Sequence, residues 1–152
     1  MPKKTIPTNW WDYKPYGSII EDTRILPFKV PIRESVINWR STGGSNDNSE
    51  LWTTSKLMST FPKMRYIIDL TNKSESTGYY DSSDFTASGI RYEKLKTPGG
   101  GRLPSDAFIV RFFTVMDSIT KQCKDDEIIG IHCSHGVNRT GYLIIRYYFE
   151  NF

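Results

Sequence analysis

Ile128-Ile129-Gly130-Ile131-His132-Cys133-Ser134-His135-Gly136-Val137-Asn138-Arg139-Thr140-Gly141 is the stretch on which the reading of this chain turns. Its opening apolar, β-branched run ends at His132, the pattern of a buried strand. Polar residues and Gly136 interrupt the run, and helical patterning resumes at Arg139. The order is therefore strand, tight loop, helix. With five residues between Cys133 and an arginine that opens a helix, the loop can wrap into a cup. The backbone N–H groups of Ser134, His135, Gly136, Val137, Asn138 and Arg139 then face one centre, and such a centre suits a phosphate. Cys133 on the floor would feel the helix dipole and Arg139, which lower a free thiol pKa of about 8.5 and make the thiolate, the nucleophilic form, available near neutral pH. Arg139 offers a planar fork matched to two phosphoryl oxygens. Thr140 can donate its hydroxyl to the sulfur, while His132 and Asn138 fix the shape of the loop. With two His, two Cys and nine Arg in the chain, His-Cys-x5-Arg would arise in roughly 0.0015 of shuffled sequences, so the pattern is read as chemistry.

Outward from this centre the chain alternates strands and helices. Met64 to Leu70 reads as a buried strand and Ile90 to Leu95 as a second, partly exposed one. Leu26, Phe28 and Val30 alternate with Pro27 and Lys29, which suggests a short edge strand where proline is tolerated. Leu57, Met58 and Phe61 mark one face of a short helix that Pro62 stops. From Ser105 to about Cys123 a longer helix is expected, with Phe108, Phe112, Val115 and Ile119 on its inner face. Gly43 to Ser49 and Thr97 to Pro104, with its three consecutive glycines, read as loops. Residues 1–15, with Pro2, Pro7 and Pro15 around Trp10 and Trp11, form an irregular arm whose aromatics anchor it to the body. The alternation predicts an α/β fold, a central and mainly parallel sheet flanked by helices.

At 152 residues, 38% apolar and 24% charged, the chain fits one soluble globular domain and excludes a fully disordered one. No apolar run reaches the ~18–20 residues of a membrane span, and the N-terminus has no signal-like stretch. No membrane partner is expected, and the location is read as intracellular, in the nucleus or cytoplasm. Two cysteines make no disulfide framework. A net charge of +3 permits a polyanionic partner without demanding one.

Plainer readings exist for each residue. Cys133 could be an inert buried thiol, though this leaves the polar, glycine-containing loop unexplained. His132, Cys133, His135 and Cys123 could gather a metal, yet no Cys-x2-Cys or His-x3-His pair is present, so no metal or other cofactor is expected. Cys123 reads as structural. Asp69 ends a buried strand and needs a partner there, so it is read as scaffold for the site. Lys94, Lys96 and Arg102 flank the glycine loop and are candidates for contacts to further phosphates of an RNA; the alternative is three separate solvated cations.

His-Cys-Ser-His-Gly-Val-Asn-Arg-Thr-Gly resembles the signature of the cysteine-based phosphatase superfamily, His-Cys-x5-Arg-[Ser/Thr]. With His135 and Asn138 in place, it is similar to the RNA 5′-triphosphatase branch, which includes metazoan capping-enzyme triphosphatase domains, a baculovirus RNA phosphatase and the RNA/RNP-complex-interacting phosphatases. Leu26 to Pro31, Ile68 to Asn72, Tyr79 to Asp81, Gly89 to Tyr92 and Thr140 to Ile144 also carry the likeness, which covers about residues 8 to 152. The Tyr79-Tyr80 and Thr140-Gly141-Tyr142-Leu143 words favour the RNP-interacting and baculovirus group.

The resemblance implies a dual-specificity phosphatase fold. It implies metal-independent removal of γ and then β phosphate from RNA 5′ ends through a phosphocysteine on Cys133, with RNA-processing ribonucleoproteins as partners. Asp106, 27 residues before Cys133, is the candidate general acid, set against a plain role as a helix-start carboxylate. A protein dual-specificity phosphatase and a non-catalytic 5′-phosphate-binding module are the alternatives. The family continues past the signature helix. Leu143, Ile144, Ile145, Tyr147, Tyr148 and Phe149 cover nearly every side of that helix, so it is expected to be buried all round, and residues 1–152 to be a single phosphatase domain truncated at its C-terminus.

Overall fold

The computed structural model describes residues 6–7, 9–35, 51–72, 78–97 and 102–151. The loop expected over 43–49 and the glycines 99–101 lie outside these residues. Four strands, β1 (Ile25–Lys29), β2 (Met64–Asp69), β3 (Arg91–Lys94) and β4 (Ile128–Cys133), form one sheet in the order β1-β4-β2-β3. Every pairing among these four is parallel. The expected α/β architecture is therefore present.

Side-chain alternation along each strand divides the interior into two layers. One face carries Ile25, Tyr66, Ile68, Ile129 and Ile131 against Ile109, Phe112, Met116 and Ile119 of helix α3 (Asp106–Gln122) and Leu143, Ile144 and Tyr147 of helix α4 (Asn138–Asn151). The other carries Leu26, Phe28, Met64, Ile67 and Ile128 against Trp10, Trp52, Leu57 and Phe85. Leu57 belongs to α1 (Thr54–Thr60) and Phe85 to α2 (Ser83–Thr86). Met64 and Ile67 share a face because the β2–β4 register slips between Met64 and Tyr66, as a bulge requires. At Gly130 an added Cβ would come within 2.6 Å of the Phe28 ring and 2.7 Å of the Met64 sulfur.

β1 lies at the sheet edge, as its proline suggested. Its outer side is covered by the chain just before it, where Gly17 N–H donates to Pro27 O at 3.0 Å and Lys29 N–H to Pro15 O at 2.9 Å. Pro27 thus presents only a carbonyl where only a carbonyl is needed. The arm is fastened by Trp10, fully buried, whose indole N–H donates to Val30 O at 2.8 Å. The Lys29 ammonium donates to the carbonyls of Trp10 (2.9 Å) and Tyr13 (2.8 Å) and stands 3.7 Å over the Trp10 ring.

Two expectations about the helices change. Helix α3 starts at its Ser105 cap, whose Oγ accepts from Phe108 N–H at 3.2 Å, but its buried stripe is Ile109, Phe112, Met116 and Ile119, with Phe108 and Val115 only partly covered. Both sets satisfy helical spacing, and the position of the sheet selects between them. Helix α4 is not buried all round: among the described residues Ile145 and Phe149 are 56% and 77% exposed, because the sheet and α3 cover one side only.

Candidate active site

Parallel strands put all their carboxyl ends on one edge, where ligands of open α/β sheets bind. The registers pair Lys29 with Cys133, Asp69 with His132, and Asp69 with Lys94. The last residues of the four strands are thus Lys29, Asp69, Lys94 and Cys133, each polar or reactive, in a row. Alternation along β4 sends Cys133 to the α3/α4 face, within that core, and His132 to the opposite face beside Phe28 and Tyr80.

From Cys133 the chain turns through Ser134–Val137 into α4, which starts at Asn138. Gly136 makes the turn possible. Its φ of +79° is left-handed, and a Cβ there would fall 2.5 Å from the carbonyl carbon and oxygen of Phe28 and 2.8 Å from Lys29 N, so the loop rests directly on β1. Val30 N–H donates to Ser134 O at 3.3 Å. The Arg139 guanidinium is aimed by Thr97 O (3.0 Å), Leu70 O (3.5 Å) and Ser134 Oγ (2.9 Å), which fixes its plane with acceptors that carry no full charge.

Burial by itself would raise the Cys133 thiol pKa. Hydrogen bonding from the Thr140 hydroxyl, the backbone N–H groups of Thr140 and Gly136, and the Arg139 charge outweigh burial and hold the thiol below its ordinary value. The fully buried Thr140 Oγ1 forms no complete hydrogen bond in this structure, although it belongs to the set that acidifies the thiol.

Behind the loop lies a buried polar network. His132 Nδ1 is 3.1 Å from Cys133 O; a carbonyl only accepts, so Nδ1 carries the hydrogen. Burial lowers the His132 pKa, the Asp69 charge opposing it, and the ring is neutral with Nε2 accepting from the Tyr80 hydroxyl at 2.7 Å. The same hydroxyl lies 3.3 Å from Asp69 Oδ2, and the shorter contact takes its proton. Asp69 accepts from Thr71 N–H (2.8 Å), Thr71 Oγ1 (2.6 Å), Lys94 Nζ (3.1 Å) and the Tyr92 hydroxyl. Burial pushes the Asp69 carboxyl up, but His132 where it is protonated, Lys94 and the Thr71 and Tyr92 hydrogen bonds hold it below the ordinary carboxylate value.

The structure therefore brings Cys133, Ser134, Gly136, Arg139 and Thr140 together in one cup, with His132 and Asp69 as its support. Val137 and Asn138 are exposed on the rim. His135 is half-buried and stacked on Tyr13, with ring centroids 4.4 Å apart and planes 26° from parallel. Asp106 is exposed at the first turn of α3. Lys96 and Arg102 are exposed. Lys94, expected among the RNA contacts, instead turns inward, its ammonium on Asp69 and 2.7 Å from Thr71 Oγ1. Among the described residues no group of three or more His, Cys, Asp or Glu could hold a metal ion.

Sequence reasoning did not find Tyr13, Thr71, Tyr80 or Tyr92. Nor did it find Tyr79, whose hydroxyl pKa is raised by burial and lowered in part by hydrogen bonding to Ser134 and by Arg139. Two signals were available: the words that carry the resemblance contain Thr71, Tyr79, Tyr80 and Tyr92, and Asp69, a carboxylate on a buried strand, must be met by donors from neighbouring segments.

A parallel sheet that carries, at its carboxyl edge, a buried cysteine followed by a tight loop that an arginine closes is the arrangement of a cysteine-dependent phosphatase. The comparisons agree. The chain is 33% identical over 141 residues to a tyrosine-protein phosphatase of Autographa californica nuclear polyhedrosis virus, covering 93% of this chain and 78% of that protein. It is 36% identical over 143 residues to the human RNA/RNP complex-1-interacting phosphatase, covering 93% of this chain and 41% of that one. A crystal structure of PTPMT1 in complex with PI(5)P has the same fold, with a TM-score of 0.61 at 15% identity over 90% of this chain and 73% of that one. No protein-family profile matches. The chain belongs to the cysteine-based tyrosine and dual-specificity phosphatase family. It spans less than two thirds of several relatives, including 61% of a phosphatase of Orgyia pseudotsugata multicapsid polyhedrosis virus. Among the described residues no helix is long and apolar enough to cross a membrane.

Proposed function

We propose that this chain removes the γ and then the β phosphate from RNA 5′ ends, with Cys133 as nucleophile and no metal ion. The Cys133 thiolate attacks the terminal phosphorus, the bond to the bridging oxygen breaks, and the shortened RNA end leaves. A water molecule then attacks the phosphocysteine, the S–P bond breaks, inorganic phosphate departs and the thiolate returns. Arg139 and the backbone cup neutralise the equatorial oxygens in both steps, the work a metal does elsewhere. Thr140 stabilises the thiolate as it leaves in the second step. Asp106 is the general acid for the first leaving group where one is needed; a diphosphate leaves with little help.

The observation that carries the phosphocysteine step is the geometry of the loop after Cys133, closed by an Arg139 held 2.9 Å from Ser134 Oγ and 3.0 Å from Thr97 O, with Thr140, Gly136 and Arg139 favouring the thiolate against the cost of burial. Support for an RNA end comes from the names of the human and Caenorhabditis elegans relatives as RNA/RNP complex-1-interacting phosphatases, and from His135 and Asn138 in the loop. On this reading its partners are RNA-processing ribonucleoproteins, and its place of work is the nucleus or cytoplasm. The names of the baculovirus relatives as tyrosine-protein phosphatases favour a second reading, a protein dual-specificity phosphatase.

Phosphate release from 5′-triphosphorylated RNA and from a phosphotyrosine peptide, both in EDTA, separates the two. The expected result is turnover of the RNA that survives chelation and disappears in Cys133→Ser, whose hydroxyl is a poor nucleophile, while that variant still binds RNA. Residual turnover in Cys133→Ser would remove Cys133 from the chemistry. Turnover of the peptide alone would establish the second reading.

A further inference from the structure

The end of β1 holds two things at once. Gly136 of the loop lies against the Phe28–Lys29 peptide. The arm is bound to the same residue, because the Lys29 ammonium holds the carbonyls of Trp10 and Tyr13 and the Lys29 N–H donates to Pro15 O. Two segments far apart in sequence are therefore fixed to one anchor, and their side chains meet. The Tyr13 ring lies stacked on the His135 ring, and it remains 36% exposed.

Such a pair is a flat aromatic surface whose position relative to the cup is set by backbone. Tyr13 meets the loop through the His135 side chain, at the rim rather than at Cys133. A phosphotyrosine ring, joined to phosphorus through one oxygen, would stand over the cup itself. A nucleobase is held away from its 5′ phosphates by the ribose and is the planar group that can reach a platform at the rim. Stacking on an aromatic face accepts any base, which suits an enzyme acting on ends rather than on a sequence.

We infer that Tyr13, stacked on His135, is the platform for the first nucleobase of the substrate, a specificity residue contributed by the N-terminal arm. This rests on the reading of the chain as an RNA 5′-phosphatase. The interaction is made with the nucleotide and not with the transferred phosphoryl group, so it separates RNA ends from base-free polyphosphates.

The test uses two substrates of equal charge, a 5′-triphosphorylated oligoribonucleotide and the same molecule with an abasic first residue. Wild type, Tyr13→Ala and Tyr13→Phe are compared by kcat/KM. The loss in Tyr13→Ala is expected to be about 5- to 150-fold larger on the base-bearing RNA than on the abasic one, the range typical of one base–aromatic stack, with Tyr13→Phe restoring the difference. Equal losses on the two substrates would make Tyr13 only a prop for His135 and overturn the inference, as would no loss on either. In both cases the RNA reading would stand on wild-type turnover. A wild-type protein that leaves both RNAs intact while hydrolysing a phosphotyrosine peptide would overturn the two together.

Discussion

Replacing Gly136 by alanine tests whether the cup is held in shape by the edge of the sheet. Two costs can be worked from the structure. The φ of +79° puts an alanine in the left-handed region, at about 1–2 kcal/mol. The added Cβ would sit 2.5 Å from Phe28 C and O, where ordinary contact begins near 3.4 Å. Those atoms are backbone of a paired strand and cannot rotate away, so the loop itself must move by about 0.9 Å. A displacement of roughly 1 Å in a reacting geometry costs about 10²-fold in rate. The Gly136 N–H that helps acidify Cys133 moves with it. Gly136→Ala should therefore lower kcat/KM by about two orders of magnitude on any phosphorylated substrate, raise the pH midpoint of Cys133 alkylation by iodoacetamide, and lower stability by about 1–3 kcal/mol. Gly89→Ala is the control, because it has a similar φ of +81° but nothing within 4 Å of its Cβ, and it should show the backbone cost alone. An alanine at 136 that leaves both rate and alkylation midpoint at wild-type values would refute the reasoning.

Three further outcomes are expected. Thr140→Val removes the buried hydroxyl that has no complete partner and should raise the alkylation midpoint of Cys133; a hydrogen bond to a charged group is worth about 1.5–3 kcal/mol, so breakdown of the phosphocysteine should slow about 10- to 100-fold in single-turnover experiments. Stability should fall on acidification in two stages, read as Tm from pH 8 to pH 3. His132, lowered from 6.5 by burial, contributes stability that is full above that value and lost as pH drops below it. Asp69, lowered from 3.8 despite burial, contributes stability that is full above that value and lost as pH falls through its folded pKa. His132→Asn should remove the first stage and leave the second; an unchanged profile would show that the ring does not titrate with unfolding. Asp106→Asn should slow hydrolysis of a phosphotyrosine peptide by about 10²–10⁴-fold and of triphosphorylated RNA far less, since the diphosphate needs little protonation. Large and equal losses would make Asp106 an obligate acid, and small losses on both would leave it a helix-start carboxylate.

The sequence alone determined what depends on local chemistry. An apolar run, a polar loop with one glycine, and an arginine opening a helix specify strand, turn and helix between neighbours in the chain, and the spacing from Cys133 to Arg139 closes the cup within one segment. The parallel α/β sheet followed from the alternation of the elements. The tertiary structure decided what depends on register. Sequence could not place Lys29, Asp69, Lys94 and Cys133 in one row, because each sits at the end of its own strand and only pairing across the sheet brings those ends level. Lys94 looked like an open cation until β3 was laid beside β2, which put its ammonium on Asp69. Tyr80 and Tyr92 became partners of His132 and Asp69, and Tyr13 of His135, across separations of tens of residues. Side-chain periodicity says that a residue faces inward. It carries no term for which distant residue it meets there, and that choice is made by packing and by the need of each buried polar group for a partner.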